Sequence, residues 1–213
     1  ELHEEVKQLF GVNLPTDAWD QIAVQSLNVY ALGQVTQELV NTRGRYRRQW
    51  LWDSQNLRDY LLLDFEIPPY SNFGLTLPFQ KQLALNTKLY PVVSQQRLRL
   101  EDNLMSFNDL SLMLVAPKGF RNFDQAFTQY ANGLKQYPLQ LVRFFWLEQL
   151  RLVKQDKVIY LVDQDQKMCE IEIKQFVELW FLVGTEPFSA GVEWNGLQLK
   201  LVSIWQGGHF ECL

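Results

Sequence analysis

The stretch 17-DAWDQIAVQSLNVYALGQVTQELVNTRG-44 decides how the front of this chain is read. Val24, Leu27, Ala31, Val35 and Leu39 recur at helical spacing, with Trp19, Ile22, Ala23 and Tyr30 beside them. Such a stripe is wide enough for a helix packed against a body. Thr16 or Asp17 supplies an N-cap, and Gly44 a stop. A shorter helix precedes it in 2-LHEEVKQLFG-11, where Leu2, Val6, Leu9 and Phe10 share a face and Gly11 closes the turn. The spacing therefore predicts a helical front, with residues 1–53 as a possible helical subdomain.

Downstream the pattern changes. The stretch 54-SQNLRDYLLLDFEIPPY-70 opens like a short helix capped by Ser54. Its end, Leu63 to Ile67, alternates like a strand, and Pro68-Pro69 stops it. From about residue 74 the period is two: Leu75 and Leu77, Leu83 and Leu85, Leu98 and Leu100, then Leu110, Leu112 and Leu114. These read as half-buried strands of an antiparallel sheet. The segment 122-NFDQAFTQYANGLKQY-137 is the clearest helix, with Asn122 as cap and Gln125 at the capping-box position. The next apolar segment, 139-LQLVRFFWLEQLRLV-153, is long enough to favour a helix. The C-terminal third carries two hairpin patterns. One joins 157–163 to 168–174, and the other turns at Asn195-Gly196. Between them, 175-QFVELWFLV-183 fits a short helix or a strand. The expected fold is one α+β domain over residues 1–213. In it, an N-terminal helical segment packs on a mainly antiparallel sheet, with one or two further helices around 122–153.

Composition narrows the function classes. Apolar residues make up 47% of the chain and charged residues 21%, which is ordinary for a globular protein. The net charge of -4 argues against broad, non-specific nucleic-acid binding, which needs a basic surface. No run of 18 apolar residues is present to form a transmembrane helix. No leader peptide is visible, and a cytoplasmic protein is expected, although a chain beginning at Glu1 leaves a trimmed leader open. Cys169 and Cys212 cannot build a metal site, and both suit buried free thiols. A disulfide between them is the alternative if the protein is exported.

Catalytic signatures are sparse. The two histidines, His3 and His209, sit near the chain ends. His209-Phe210-Glu211 lacks the PCxxC partner that a zinc deaminase needs. No GxSxG, GxxxxGK[ST] or GxGxxG motif appears. Asp64 with Glu66, and Glu170 with Glu172, fall on single strand faces, which suits solvated edges. Asp163, Asp165 and Lys167 sit in a polar turn that lacks the Gly and distal Glu of a calcium loop. No catalytic residue, cofactor or metal is assigned, and no family resemblance is read from these residues.

The most distinctive stretch is 42-TRGRYRRQWLWD-53, with four arginines, a tyrosine and two tryptophans. As a strand it would send Tyr46, Arg48, Trp50 and Trp52 to one face, and Arg45, Arg47 and Gln49 to the other. As a helix it would align Arg43 with Arg47 and Tyr46 with Trp50. The arginines could cap a helix end and pair with Asp53 or Asp59 while the tryptophans fill the core. They could form a protein interface, or hold phosphates beside stacking rings. Arg97 and Arg99 would enlarge the patch if their strand lies beside it. The expected function is a non-catalytic protein-protein interaction or assembly subunit. Its candidate residues are Arg43, Arg45, Tyr46, Arg47, Arg48, Trp50, Trp52, Arg97 and Arg99. An RNA- or single-stranded nucleic-acid-binding accessory protein using the same patch is the alternative.

Overall fold

The computed structural model describes residues 23–39, 43–67, 69, 72–74, 76–89, 97–100, 114–136, 142–171 and 176–213. Among these, eleven strands and two helices are present, arranged as two β units that share one core. The first unit contains β1 (Val24–Glu38), β2 (Arg45–Asp53), β3 (Arg58–Glu66), β4 (Gln82–Leu89) and β5 (Arg97–Leu100). They close into a barrel in the order β1-β2-β3-β5-β4. The first half of β1 pairs with β4 and its second half with β2. Only the β3–β5 pairing is parallel. This is the topology of the five-stranded OB-type Greek-key barrel.

The second unit begins with α1 (Phe123–Gln136) and continues through β6 (Arg143–Gln155), β7 (Val158–Val162) and β8 (Met168–Glu170). Then come α2 (Phe176–Val183), β9 (Phe188–Trp194), β10 (Leu199–Gln206) and β11 (His209–Cys212). The strands form one sheet in the order β11-β10-β9-β6-β7-β8. A parallel bridge between Ile171 and Leu199 ties the β8 end back to β10. The sheet is therefore curled almost into a second barrel.

The pairing scheme of the first unit recurs in the second. Long β6 takes the place of β1, since it pairs with both β7 and β9 and shifts register between Leu147 and Leu150. β7, β8, β9 and β10 follow as β2, β3, β4 and β5. The parallel Ile171–Leu199 bridge stands where β3 meets β5. The repeat lies in the pairing and not in any residue pattern of the sequence.

The expected α+β fold with a helical front is corrected by this arrangement. Within the described residues, the proposed helix at 17–44 is β1, and 45–53 is β2. The middle of β1 is buried on both faces. Val29 and Ala31 line the barrel interior, while Leu32 and Val35 face the second unit. A strand buried on both faces loses its two-residue alternation, so its apolar positions imitate a helical stripe. The same cause corrects 139–153, which is β6 where described. Phe144, Phe145, Trp146 and Leu147 are all buried there. The expected helix at 122–137 is α1, and both C-terminal hairpins are present. The helix at 2–11 and the alternation at Leu110 and Leu112 lie outside the described residues.

Two apolar clusters organise the molecule. The barrel interior holds Val29, Ala31, Leu51, Tyr60, Leu77, Leu83, Leu85 and Leu98. A larger cluster runs from the outer face of β1, β2 and β3 into the second unit. Trp50 stacks on Phe144 at 5.8 Å, and Trp52 meets Phe120 edge-on at 5.7 Å. The units approach closely at Gly33, where a Cβ would lie 2.7 Å from Val202 Cγ1. Gly33 also closes the β1 register shift that starts at Ala31. The bend and the close approach therefore fall on one residue without a side chain.

Candidate interaction surfaces

β2 follows the strand geometry, so its side chains divide between two environments. On the outer face, Trp50 and Trp52 are fully buried between the units. Trp50 Nε1 donates to Glu193 Oε1 at 2.6 Å, and Trp52 Nε1 donates to the Lys118 carbonyl at 2.8 Å. Arg48 Nη2 donates to the other oxygen of Glu193 at 3.0 Å. One carboxylate from β9 thus satisfies both a tryptophan and an arginine from β2. Tyr46 is half-buried at the end of this row, bonded to Gln37 and packed near Phe65.

On the opposite face, Arg45 pairs with Glu66. Arg47 is buried and donates to Asp64 at 2.9 Å, to the Gly74 carbonyl at 3.1 Å and to Thr76 Oγ1. Its guanidinium also lies 4.8 Å from the Phe73 ring. Arg43 is exposed just before β2. Arg97 is buried and Arg99 exposed on β5, and β3 stands between β5 and β2. The structure does not gather the six arginines into one basic field. Arg45, Arg47 and Arg48 each meet a carboxylate, and the two tryptophans are enclosed.

A second ion pair fastens the units. Arg143 Nε donates to both Asp59 oxygens, at 2.8 and 2.9 Å, and Phe144 N donates to Asp59 at 3.2 Å. Burial acts to lower the Arg143 pKa, but the charge and hydrogen bonds of Asp59 leave it raised. The Asp59 carboxylate thus offsets the cost of burying the Arg143 guanidinium.

The acidic turn considered for calcium is occupied by backbone. Asp163 is buried. It accepts from the amides of Asp165 and Lys167 at 2.9 Å each, and from Phe123 N at the start of α1 at 2.9 Å. It thus holds the β7–β8 turn and caps α1. No group of three or more metal-ligating side chains occurs among the described residues. The two cysteines are free and half-buried. Burial pushes the Cys169 thiol up to about 11 and raises Cys212 as well.

The surface that sequence reasoning did not single out is α2. Leu179 and Val183 are its buried anchors. Val177, Trp180, Phe181 and Leu182 are exposed, Phe181 to 83%. Four large apolar side chains thus lie within two turns of an eight-residue helix. Glu178 and Glu186 flank them, and no basic residue lies in the helix. Gly184, at φ 54, ends the helix by donating its amide to the Trp180 carbonyl at 2.7 Å. Gln206 holds the following turn through the carbonyls of Val183 and Glu186. The sequence signal was the run 176-FVELWFLV-183. An isolated surface helix with one charged residue in eight cannot bury every side chain.

Searches against family models, curated proteins and solved structures return no match to this chain. No helix among the described residues is long and apolar enough to cross a membrane.

Proposed function

We propose that this protein is a non-catalytic assembly module that docks a partner protein through α2. The observation that carries this reading is the exposed Val177–Trp180–Phe181–Leu182 surface on a helix anchored by Leu179 and Val183 and held at its C-terminal end by Gln206. Contiguous exposed apolar surface of this kind marks interaction sites, and aromatic side chains dominate binding energy at them. The partner chemistry follows from the flanks. An apolar groove would take the helix, and basic groups at its rim would meet Glu178 and Glu186. Helices that lie on anionic membranes carry Lys and Arg on their polar face, and α2 carries neither. The nucleic-acid alternative has less support, because the rings beside the arginines are enclosed and three of the arginines face carboxylates.

A photo-crosslinking residue at position 181 tests the proposal in cells that make the protein. It should yield one discrete protein adduct that the same probe at exposed position 154 does not. Changing Val177 and Leu182 to Ser should remove the adduct. Equal labelling at 181 and 154 would overturn the reading. An adduct of twice the protein's own mass would replace the heterologous partner by a second copy.

A further inference from the structure

Two Asn-Gly pairs occur in the chain, and leucine follows each: 131-ANGL-134 and 194-WNGL-197. Asparagine is among the thermolabile side chains. The backbone nitrogen of the next residue can attack its Cγ and close a succinimide ring. Glycine in that place brings no Cβ to obstruct the attack. Since the two pairs share the residues that follow, their reactivity is separated chiefly by the fold around them.

Asn132 lies inside α1. The helix fixes its ψ, and the amide of Gly133 donates to the carbonyl four residues back. Attack on Cγ there requires α1 to open locally. Asn195 lies in the exposed turn between β9 and β10. Its side chain is folded forward over the Gly196 peptide, because Oδ1 accepts from Leu197 N at 2.9 Å and from Gln198 N at 2.7 Å. These two donors stand where negative charge gathers on Oδ1 once Cγ is attacked. Gly196 is exposed at φ 91, and its amide donates to no acceptor among the described residues. Tyr130 backs the turn, since a Cβ at 196 would lie 3.0 Å from its hydroxyl oxygen.

We infer that Asn195 is a site of enzyme-independent modification, at which the folded chain converts its own asparagine to aspartate and isoaspartate. Gly196 N forms a bond to Cγ of Asn195 and gives up its proton. The bond from Cγ to Nδ2 breaks, and Nδ2 leaves as ammonia with that proton. Water then opens the succinimide. Addition at Cγ gives aspartate. Addition at the main-chain carbonyl of 195 gives isoaspartate, whose main chain runs on through Cγ. Water is the only co-reactant, and nothing is oxidised or reduced. Either product adds a negative charge at the tip of the hairpin. Isoaspartate also lengthens the main chain by one carbon and turns Oδ1 into a main-chain carbonyl, which reshapes its bonds to the amides of Leu197 and Gln198. This site is separate from α2 and does not rest on it.

The test incubates the whole folded protein at mildly alkaline pH, with a urea-unfolded sample beside it. Brief trypsin digestion at mildly acidic pH then releases 122–135 and 175–200, which carry one Asn-Gly pair each. Mass spectrometry reads the gain in mass as amide becomes acid. In folded protein, Asn195 should be converted at least about tenfold faster than Asn132, whose reaction waits on local opening of α1. In urea the two rates should converge. Electron-transfer fragmentation should find isoaspartate at 195, the mark of the ring. Asn195→Gln should remove the signal from 175–200 and leave that of 122–135 unchanged. The side chain is exposed, so folding is kept. No conversion of Asn195 in folded protein would overturn the inference. So would conversion of Asn132 at an equal or higher rate, or aspartate at 195 without isoaspartate.

Discussion

Asp59 and Arg143 form the most exposed-to-test contact in the molecule, because each is the other's principal partner inside a closed interface. Removing one member of such a pair leaves a buried charge uncompensated. Asp59→Ala should therefore lower stability by about 3–5 kcal/mol, read by urea unfolding. Changing both Asp59 and Arg143 to apolar residues should cost less than Asp59→Ala alone. The thiols give a pH prediction. Cys169 titrates near 11 when folded, against an ordinary value of 9.0. The folded state thus keeps a proton that the unfolded state releases, and stability falls as pH rises from about 9 towards 11. Iodoacetamide labelling of native protein should be slow at pH 8 and rise steeply above pH 10, and unfolded protein should label readily at pH 8. At this scale the sequence was only partly legible. Its strand reading of 45–52 placed Trp50 and Trp52 together on one face, as found. Which face would be covered depended on Phe144 and Glu193, both distant in sequence, the second 143 positions away.

The elements β1 and β6 explain where pattern reading went astray. Each is a long strand shared between two pairings with a stretch buried on both faces, Val29–Val35 in β1 and Phe144–Leu147 in β6, and there the alternation of a half-exposed strand is lost. Elements with one wet face were legible: α1 from its stripe and caps, and the β7–β8 and β9–β10 hairpins from their turns. The bend in β1 rests on Gly33. Gly33→Val would press into Val202 and Phe144 and should cost at least about 1–3 kcal/mol, the range for overpacking. A fall in Tm measured by calorimetry checks this. On α2, by contrast, Phe181→Ser should change stability by no more than about 0.5 kcal/mol, as for other exposed positions.

At the scale of the whole molecule, the two units are joined by a single apolar cluster and by two buried ion pairs, Arg48–Glu193 and Arg143–Asp59. A junction cluster that runs from the outer face of β1, β2 and β3 through the second unit favours one cooperative transition over two. Tryptophan fluorescence includes the junction, through Trp50, Trp52 and Trp146, and far-ultraviolet circular dichroism reports on all strands. Their urea curves should superimpose, and a second transition in either would contradict a shared core. The repeated pairing scheme was not visible in the residues, because the two units share hydrogen-bond topology and little else. The β2 face that meets the second unit is rich in tryptophan and arginine, whereas the matching β7 face carries Val158, Tyr160 and Val162.

The junction also sets a condition on how this protein is made. Trp50 reaches Glu193 across 143 positions, Arg48 reaches it across 145, and Ser203 reaches the Leu32 carbonyl across 171. On a ribosome, the first barrel emerges with its tryptophan face bare. It is closed only when β9 and β10 follow, a delay on the order of ten seconds at ordinary elongation rates. During that interval Phe120 and Phe144 cover only part of this apolar face, and the rest waits for β9 and β10. Yield in the cell should then depend on translation speed and holding chaperones more than on the stability of the finished protein.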